Sequence, residues 1–140
     1  MKSHPFVAIF AEAWAEASLD SLMAPQRDDV ILVQPLSRPL FGKEEARAAF
    51  AKILYRFPGL RGEVRSGVSG DDGILFIDWT MFVPVGSSTL AVPVVDRFEF
   101  VEDAVKRRDA FFDPLPILTA VATSPVSLIR HTRSFLPGGA

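Results

Sequence analysis

The stretch "AVPVVDRFEF", residues 91–100, decides how the chain is read. At period two, Val92, Val94, Phe98 and Phe100 share one face, as strand residues two apart must. Asp96 stands in the middle of that apolar row. A carboxylate facing a core is costly unless it is paired, hydrogen-bonded or protonated. This is therefore a core strand with a polar group inside, and its neighbours must supply what that group needs.

Outward from it the strand pattern continues. "LRGEVRSGV" (60–68), "ILFIDWTMFVPV" (74–85) and "AVKRRDAFFDP" (104–114) read as further strands, with turns at "GDDG", "GSS" and near "VED". The N-terminal part is mostly helical. In residues 5–17, Phe6, Phe10, Ala13, Trp14 and Ala17 recur at three and four, giving one apolar face. "LDSLMA" (19–24) is a short second helix stopped by Pro25. "DDVILVQP" (28–35) is a strand ending at Pro35, and "LSRPLFG" (36–42) is loop. "KEEARAAFAKILYRFPG" (43–59) is a third helix. It has acids in its first turn, a stripe of Ala46, Phe50, Ile53, Leu54 and Phe57, and a Pro-Gly stop. Three helices with a run of antiparallel strands make an α+β layout with the helices on one face of the sheet. The tail, 115–140, begins apolar and is expected to close as a lid helix, fraying over its last six residues.

With 140 residues, 49% of them hydrophobic, the chain fits one domain with a sizeable core. No apolar run reaches the roughly 18 residues of a membrane helix. The first residues, "MKSHPFVAIFAEAWAE", gain acids where a secretion signal stays apolar, so a cytoplasmic protein is the expectation. The absence of cysteine excludes disulfides, thiolate nucleophiles and zinc-thiolate sites. A net charge of −2 with no basic stripe argues against nucleic acid. His4 and His131 form no cluster with acids at ligand spacing, and no Gly-rich phosphate loop leads into a helix. No metal and no cofactor are expected.

The element order, with "VQPLSRPLFGKEEARAAF", "PGLRGEV", "VVDRFEF" and "RRDAFFDP", resembles the SnoaL-like, ketosteroid isomerase-like members of the nuclear transport factor two-like (cystatin-like) superfamily. The resemblance covers about residues 5–122. It implies a strongly curved sheet that forms a cone with the helices, enclosing an apolar pocket. The superfamily includes polyketide cyclases, ketosteroid isomerase and limonene epoxide hydrolase.

Set against ketosteroid isomerase, Asp96 falls on an oxyanion-hole Asp in a similar "D-x-F-x-F" strand. The base falls on Gln34 and the oxyanion-hole Tyr near Phe10, so ordinary ketosteroid isomerisation is not expected. Set against the epoxide hydrolase, Asp78 falls on a catalytic Asp and Gln34 on a water-holding amide. The Arg two before that Asp is Phe76 here. The second Asp is Ala110, or Asp109 if the strand shifts by one.

The two carboxylates have bland readings as well. Alternation puts Asp78 beside Phe76, Thr80 and Phe82. If that face is inner, Asp78 is a desolvated acid or base; if outer, it is simply solvated. The comparison with the family places Phe82 inside. For Asp96 the partner depends on the following hairpin. A tight two-residue turn on Glu102 and Asp103 puts Asp109 opposite, but Glu-Asp suits such a turn poorly. A loop longer by one residue puts Arg108 opposite and sends Phe112 inward. The longer loop is preferred, which makes Asp96 an ion-paired group that is either structural or functional. In that register Asp78, Arg108 and Asp96 converge as a catalytic set.

The expected pocket has walls of Phe10, Trp14, Phe50, Leu54, Phe82, Val92, Val94 and Phe112. Its polar groups are Gln34, Asp78, Thr80, Asp96 and Arg108. Tyr55, off the apolar stripe, is expected to be partly exposed. Such a pocket suits a small hydrophobic molecule. One function is cofactor-free acid-base chemistry: isomerisation, cyclisation, dehydration or epoxide opening. The other is a non-catalytic ligand-binding or dimerisation module. A homodimer is expected through the outer sheet face, where Ala91, Pro93, Val95, Arg97, Glu99 and Phe111 lie.

Overall fold

The computed structural model describes residues 3–123. Helices α1 (Pro5–Ala15) and α2 (Leu19–Met23) lead into β1 (Gln26–Val33) and the short β2 (Leu40–Phe41). Then follow α3 (Lys43–Arg56), β3 (Arg61–Ser69), β4 (Leu75–Val85), β5 (Ser88–Val101), β6 (Ala104–Phe111) and α4 (Leu115–Thr123). The six strands form one sheet in the order β2-β1-β6-β5-β4-β3. β1 runs parallel to β6 and every other neighbouring pair is antiparallel. The class is α+β, as the pattern implies. The sheet is mixed and open, without the strong curl that the resemblance implies. The tail enters as helix α4; residues 124–140, and the fraying expected there, lie outside the described residues.

Local chemistry explains the helix starts. His4 caps α1 by accepting from the Phe6 N–H through Nδ1 at 3.1 Å, and Pro5 follows at the first helical position. Ser18 and Ser21 exchange side-chain bonds to each other's backbone N–H at the start of α2, a capping box. Phe6, Phe10 and Trp14 form the buried face of α1 and meet Trp79 and Phe98 from the sheet. Close approach of α1 to β3 needs Gly67, where a Cβ would fall 2.5 Å from Val7 Cγ2.

Two features of the sheet depart from expectation. β4 buries Leu75, Ile77, Trp79, Met81, Val83 and Val85, while Asp78, Thr80 and Phe82 lie half-buried on the other face and Phe76 is exposed there. The inward-facing Asp78, Thr80 and Phe82 are therefore corrected: the six apolar residues fill the core side, and a period of two leaves the other row outside. The β5–β6 hairpin is also corrected. Its turn is the tight one, with Glu102 and Asp103 at φ 52° and 64°. An extra residue in β6, between the pairs Phe100↔Val105 and Glu99↔Arg107, then resets the register. Asp96 lies opposite Ala110, and Arg108 lies opposite Phe98. The extra residue restores the parity that a longer loop would give, so Phe112 turns inward. Lys106, the residue skipped, donates to the Asp29 carbonyl at 3.0 Å and pairs with its carboxylate at 3.0 Å.

Two left-handed non-glycine residues in succession cost about 1–2 kcal/mol each. Replacing them together, Glu102→Asn with Asp103→Gly, gives the preferred sequence for this turn. The pair is expected to raise stability by about 1–2 kcal/mol, read as a higher urea midpoint at unchanged slope.

Candidate functional site

The site begins with Asp96, which β5 carries into the core at 0% exposure. Its Oδ2 accepts from Arg108 Nη2 at 2.9 Å and from Trp79 Nε1 at 2.7 Å. Arg108 comes from β6, two residue pairs along and therefore on the same face, so the two meet diagonally across the ladder. Trp79 comes from β4, and its ring lies over Gly62 of β3, where a Cβ would fall 2.5 Å from Cζ3. The guanidinium also lies 5.6 Å from the Phe10 ring, 5.7 Å from Trp14 and 5.8 Å from Phe98, within cation–π range. Asp96 Oδ1 and Arg108 Nε have no partner among the described residues.

Arg108 faces an inner cavity of about 50 Å³. Its walls are Trp14, Phe50, Trp79, Met81, Val94 and Phe112, with Leu32, Ala49, Ile53 and Ala110 between them. Gln34, just past the end of β1, is the other polar lining residue. No carboxylate and no imidazole among the described residues lines this cavity; Asp96 stands behind Arg108 and Trp79. Outside lies a groove of about 680 Å³ between α3, the 34–40 loop and α4. Gln34, Ala49, Ile53 and Phe112 line both spaces and form the neck between them.

Charge is distributed unevenly along this path. The Asp96–Arg108 pair is balanced. At the groove, Arg38 grips Glu45 with two bonds of 3.1 and 3.2 Å, and Glu45 also accepts from the Phe41 N–H at 2.7 Å. Those contacts, Arg38 first, hold the Glu45 carboxyl below its usual range. Burial pushes the Arg56 guanidinium down from its ordinary value. Lys52 completes the cationic side of the groove.

Of the residues read as pocket-lining, Trp14, Gln34, Phe50, Val94, Arg108 and Phe112 are brought together around the cavity. Phe10 is buried over the guanidinium but does not line it, Val92 is core, and Leu54 packs half-buried against the core. Asp78 is on the outer face, its side chain 44% exposed and 3.8 Å from Arg65, so it does not converge with Asp96 and Arg108. Thr80 and Phe82 share that face, and the Arg61 guanidinium lies 4.2 Å from the Phe82 ring. Asp109 is also on the outer side, held by Arg107 at 3.1 Å and Arg97 at 3.5 Å. Tyr55 is 42% exposed, as its position off the stripe implies. Sequence reasoning missed Trp79 and Met81; the all-apolar alternate row of β4 is the signal that places them. Among the described residues no group of three potential ligands could hold a metal ion, and no helix is long and apolar enough to cross a membrane.

The profile of the SnoaL-like domain family matches residues 7–108. No curated protein sequence matches the chain. Among solved structures the fold is similar to a protein from Jannaschia sp. CCS1 assigned to the SnoaL-like polyketide cyclases. The identity is 19% and the TM-score 0.73, over 89% of this chain and 99% of that one. It is also similar to a Catenulispora acidiphila protein with a ketosteroid isomerase-like fold, in complex with trimethylamine. There the identity is 13% and the TM-score 0.73, over 88% and 94%. An epoxide hydrolase from M. tuberculosis, of the limonene epoxide hydrolase-like type, aligns with 16% identity and a TM-score of 0.66, over 88% and 91%.

Proposed function

The chain belongs to the SnoaL-like domain family, and from that premise we propose that it takes up a small hydrophobic carbonyl compound head-first and activates it without a cofactor. The observation that carries this is Arg108. One face of its guanidinium is fixed by buried Asp96, and another is part of the wall of an aromatic cavity. A donor held in place in a site shielded from water stabilises an oxygen that gains negative charge. Because Asp96 already balances Arg108, the inner end suits a neutral oxygen rather than a carboxylate, which would leave net charge buried. An apolar cavity of roughly 150 Å³ holds a benzene ring; this one, at about 50 Å³, admits only a small head. The ring system then lies in the groove, whose volume is within the usual range for ligand sites.

The chemistry of this site is electrophilic: Arg108 donates to the carbonyl oxygen inside the shielded cavity and stabilises the enolate that forms when an adjacent C–H, left on the groove side of the neck, loses its proton to solvent water or hydroxide there. Isomerisation and cyclisation both pass through such an enolate. A second reading, uptake without turnover, is favoured by the absence of any carboxylate or imidazole lining the cavity among the described residues.

Acetylnaphthalene and its hydrocarbon analogue ethylnaphthalene separate these readings. A hydrogen bond to a charged group is worth about 1.5–3 kcal/mol, so the ketone should bind at least about tenfold more tightly. Proton NMR in heavy water should show its methyl protons exchanging faster than in buffer alone. Binding without exchange supports the second reading; equal affinity for the two molecules contradicts both.

We also propose a homodimer through the outer sheet face. Val95 and Phe111 are paired in register there and are 39% and 57% exposed, with Phe76 diagonal to Val95 and Val68 paired with Phe76. The flanking Arg97, Glu99, Arg107 and Asp109 pair with one another, which leaves the apolar patch needing cover. A two-fold axis would set this patch against its own copy. Sedimentation should give a dimer at micromolar concentration, and Phe111→Glu should give a monomer.

A further inference from the structure

Resting on the carbonyl reading, we propose that a single buried water, held by Gln26, fixes the far side of Arg108, and that Gln26 is thereby a positioning residue for the ketone. Arg108 is a partition. It lines the inner cavity, and it also lines a second, smaller cavity of about 10 Å³. The smaller one lies where α1 and α2 meet the sheet, among Phe10, Trp14, Leu22 and Phe98, with Ser21 and Gln26 as its other polar side chains.

Three observations point to the water. First, the small cavity holds a donor and an acceptor that match. Arg108 Nε and Gln26 Oε1 are both buried without a partner among the described residues, and both residues line this space. They are 8% and 7% exposed, so bulk solvent does not serve them. A buried polar group left unpaired is costly, and in folded proteins such groups are paired with protein or with ordered water. Second, Gln26 is tied down. Its Nε2 donates to the Leu22 carbonyl at 3.2 Å, which settles the end of the amide that carries the hydrogens and sends the oxygen the other way. Third, the volume suits one water, which needs about 10–15 Å³ and at least two polar partners. A neutral occupant also suits the charge, because Asp96 already balances Arg108 at 2.9 Å.

The consequence falls on the other face of the guanidinium. Asp96 accepts from Nη2. A single hydrogen bond leaves a guanidinium free to tilt about it, whereas a second at Nε defines its plane. With Nη2 on Asp96 and Nε on the water, Nη1 is the nitrogen offered to the ketone. Support of this kind, from behind a binding group, is what holds a site to its working geometry.

A crystal structure of the unaltered chain, at a resolution that shows ordered water, tests the site directly. One water should lie within hydrogen-bonding distance of both Gln26 Oε1 and Arg108 Nε. An empty cavity, or a direct bond between the two side chains, would overturn the inference. Gln26→Met, close in size but without the acceptor, tests the positioning role. It should weaken binding of acetylnaphthalene about fivefold, the worth of one ordinary hydrogen bond, and leave ethylnaphthalene unchanged. Loss of affinity for both molecules, or for neither, would overturn that role, because a merely structural Gln26 does not distinguish a ketone from a hydrocarbon. Should Gln26→Met not fold, Gln26→Asn, which stays polar but withdraws the acceptor by one methylene, carries the same comparison. Equal affinity of the unaltered chain for the two molecules would overturn the carbonyl reading and the positioning role with it, while the crystal structure still decides the water.

Discussion

Arg108→Met is expected to destabilise the chain by about 3–5 kcal/mol, because it strips a fully buried carboxylate of its counter-charge. The loss is mostly the cost of leaving Asp96 charged and unpaired, so it should be repaired from the other side. Replacing both members, Asp96→Leu with Arg108→Met, puts apolar groups into an apolar shell and can come close to neutral. One debt remains: Trp79 Nε1 loses its acceptor, and an orphaned buried donor costs about 1–3 kcal/mol. The double variant should therefore regain most but not all of the loss, in urea unfolding followed by far-ultraviolet circular dichroism. It should also bind acetylnaphthalene no better than ethylnaphthalene, since the donor in the cavity wall is gone. A folded double variant that keeps the preference for the ketone removes Arg108 from the site. A cheap Arg108→Met substitution removes the buried pair from the account of stability.

The second large effect concerns Trp79. Trp79→Phe deletes one of the two donors to Asp96 Oδ2 and leaves a gap beside the inner cavity. A hydrogen bond to a charged group contributes about 1.5–3 kcal/mol, and a loss of that order is expected. Gly62→Ala reaches the same ring from behind. Its Cβ would press on Cζ3 and Cε3, at 2.5 and 2.6 Å before relaxation. Overpacking of this kind costs about 1–3 kcal/mol. Both variants should shift the tryptophan bands in near-ultraviolet circular dichroism. A normal spectrum and normal stability for Gly62→Ala would mean that the ring is not seated on β3.

The sequence makes the buried pair legible through one anomaly. An Asp in the row Val92, Val94, Phe98 can be accommodated only with a partner, and the cations nearest along the following strand lie in "KRR". Which of them faces inward depends on a single residue of register. The structure reaches the expected parity by a different route, a tight turn plus an extra residue in β6, and nothing in "AVKRRDAF" marks that residue. Its anchor, the Lys106–Asp29 contact, joins positions 77 apart and is invisible to any local pattern. The parallel pairing of β1 with β6 is non-local in the same way. Its register also shifts, between Gln26 and Ile31.

β4 teaches the opposite lesson. Its own alternation separates Leu75, Ile77, Trp79, Met81, Val83 and Val85 from Phe76, Asp78, Thr80 and Phe82, and burial follows that division. The family comparison drew Asp78 and Phe82 inward against the strand's own pattern. Physical alternation was the better guide there, because a row of six large apolar side chains has more to gain from the core than a row carrying Asp and Thr. The helices posed no such conflict: apolar spacing agreed along α1 and α3, His4 caps α1, and Phe6, Phe10, Trp14, Ala46 and Phe50 are buried accordingly.

The most direct measurement is a crystal structure of the chain with acetylnaphthalene bound. The ketone oxygen is expected in the inner cavity within hydrogen-bonding distance of Arg108, and the naphthalene rings in the groove between α3 and α4. A ketone seated on the outer sheet face, or lying in the groove with its oxygen turned to solvent and Arg108 untouched, would contradict this placement.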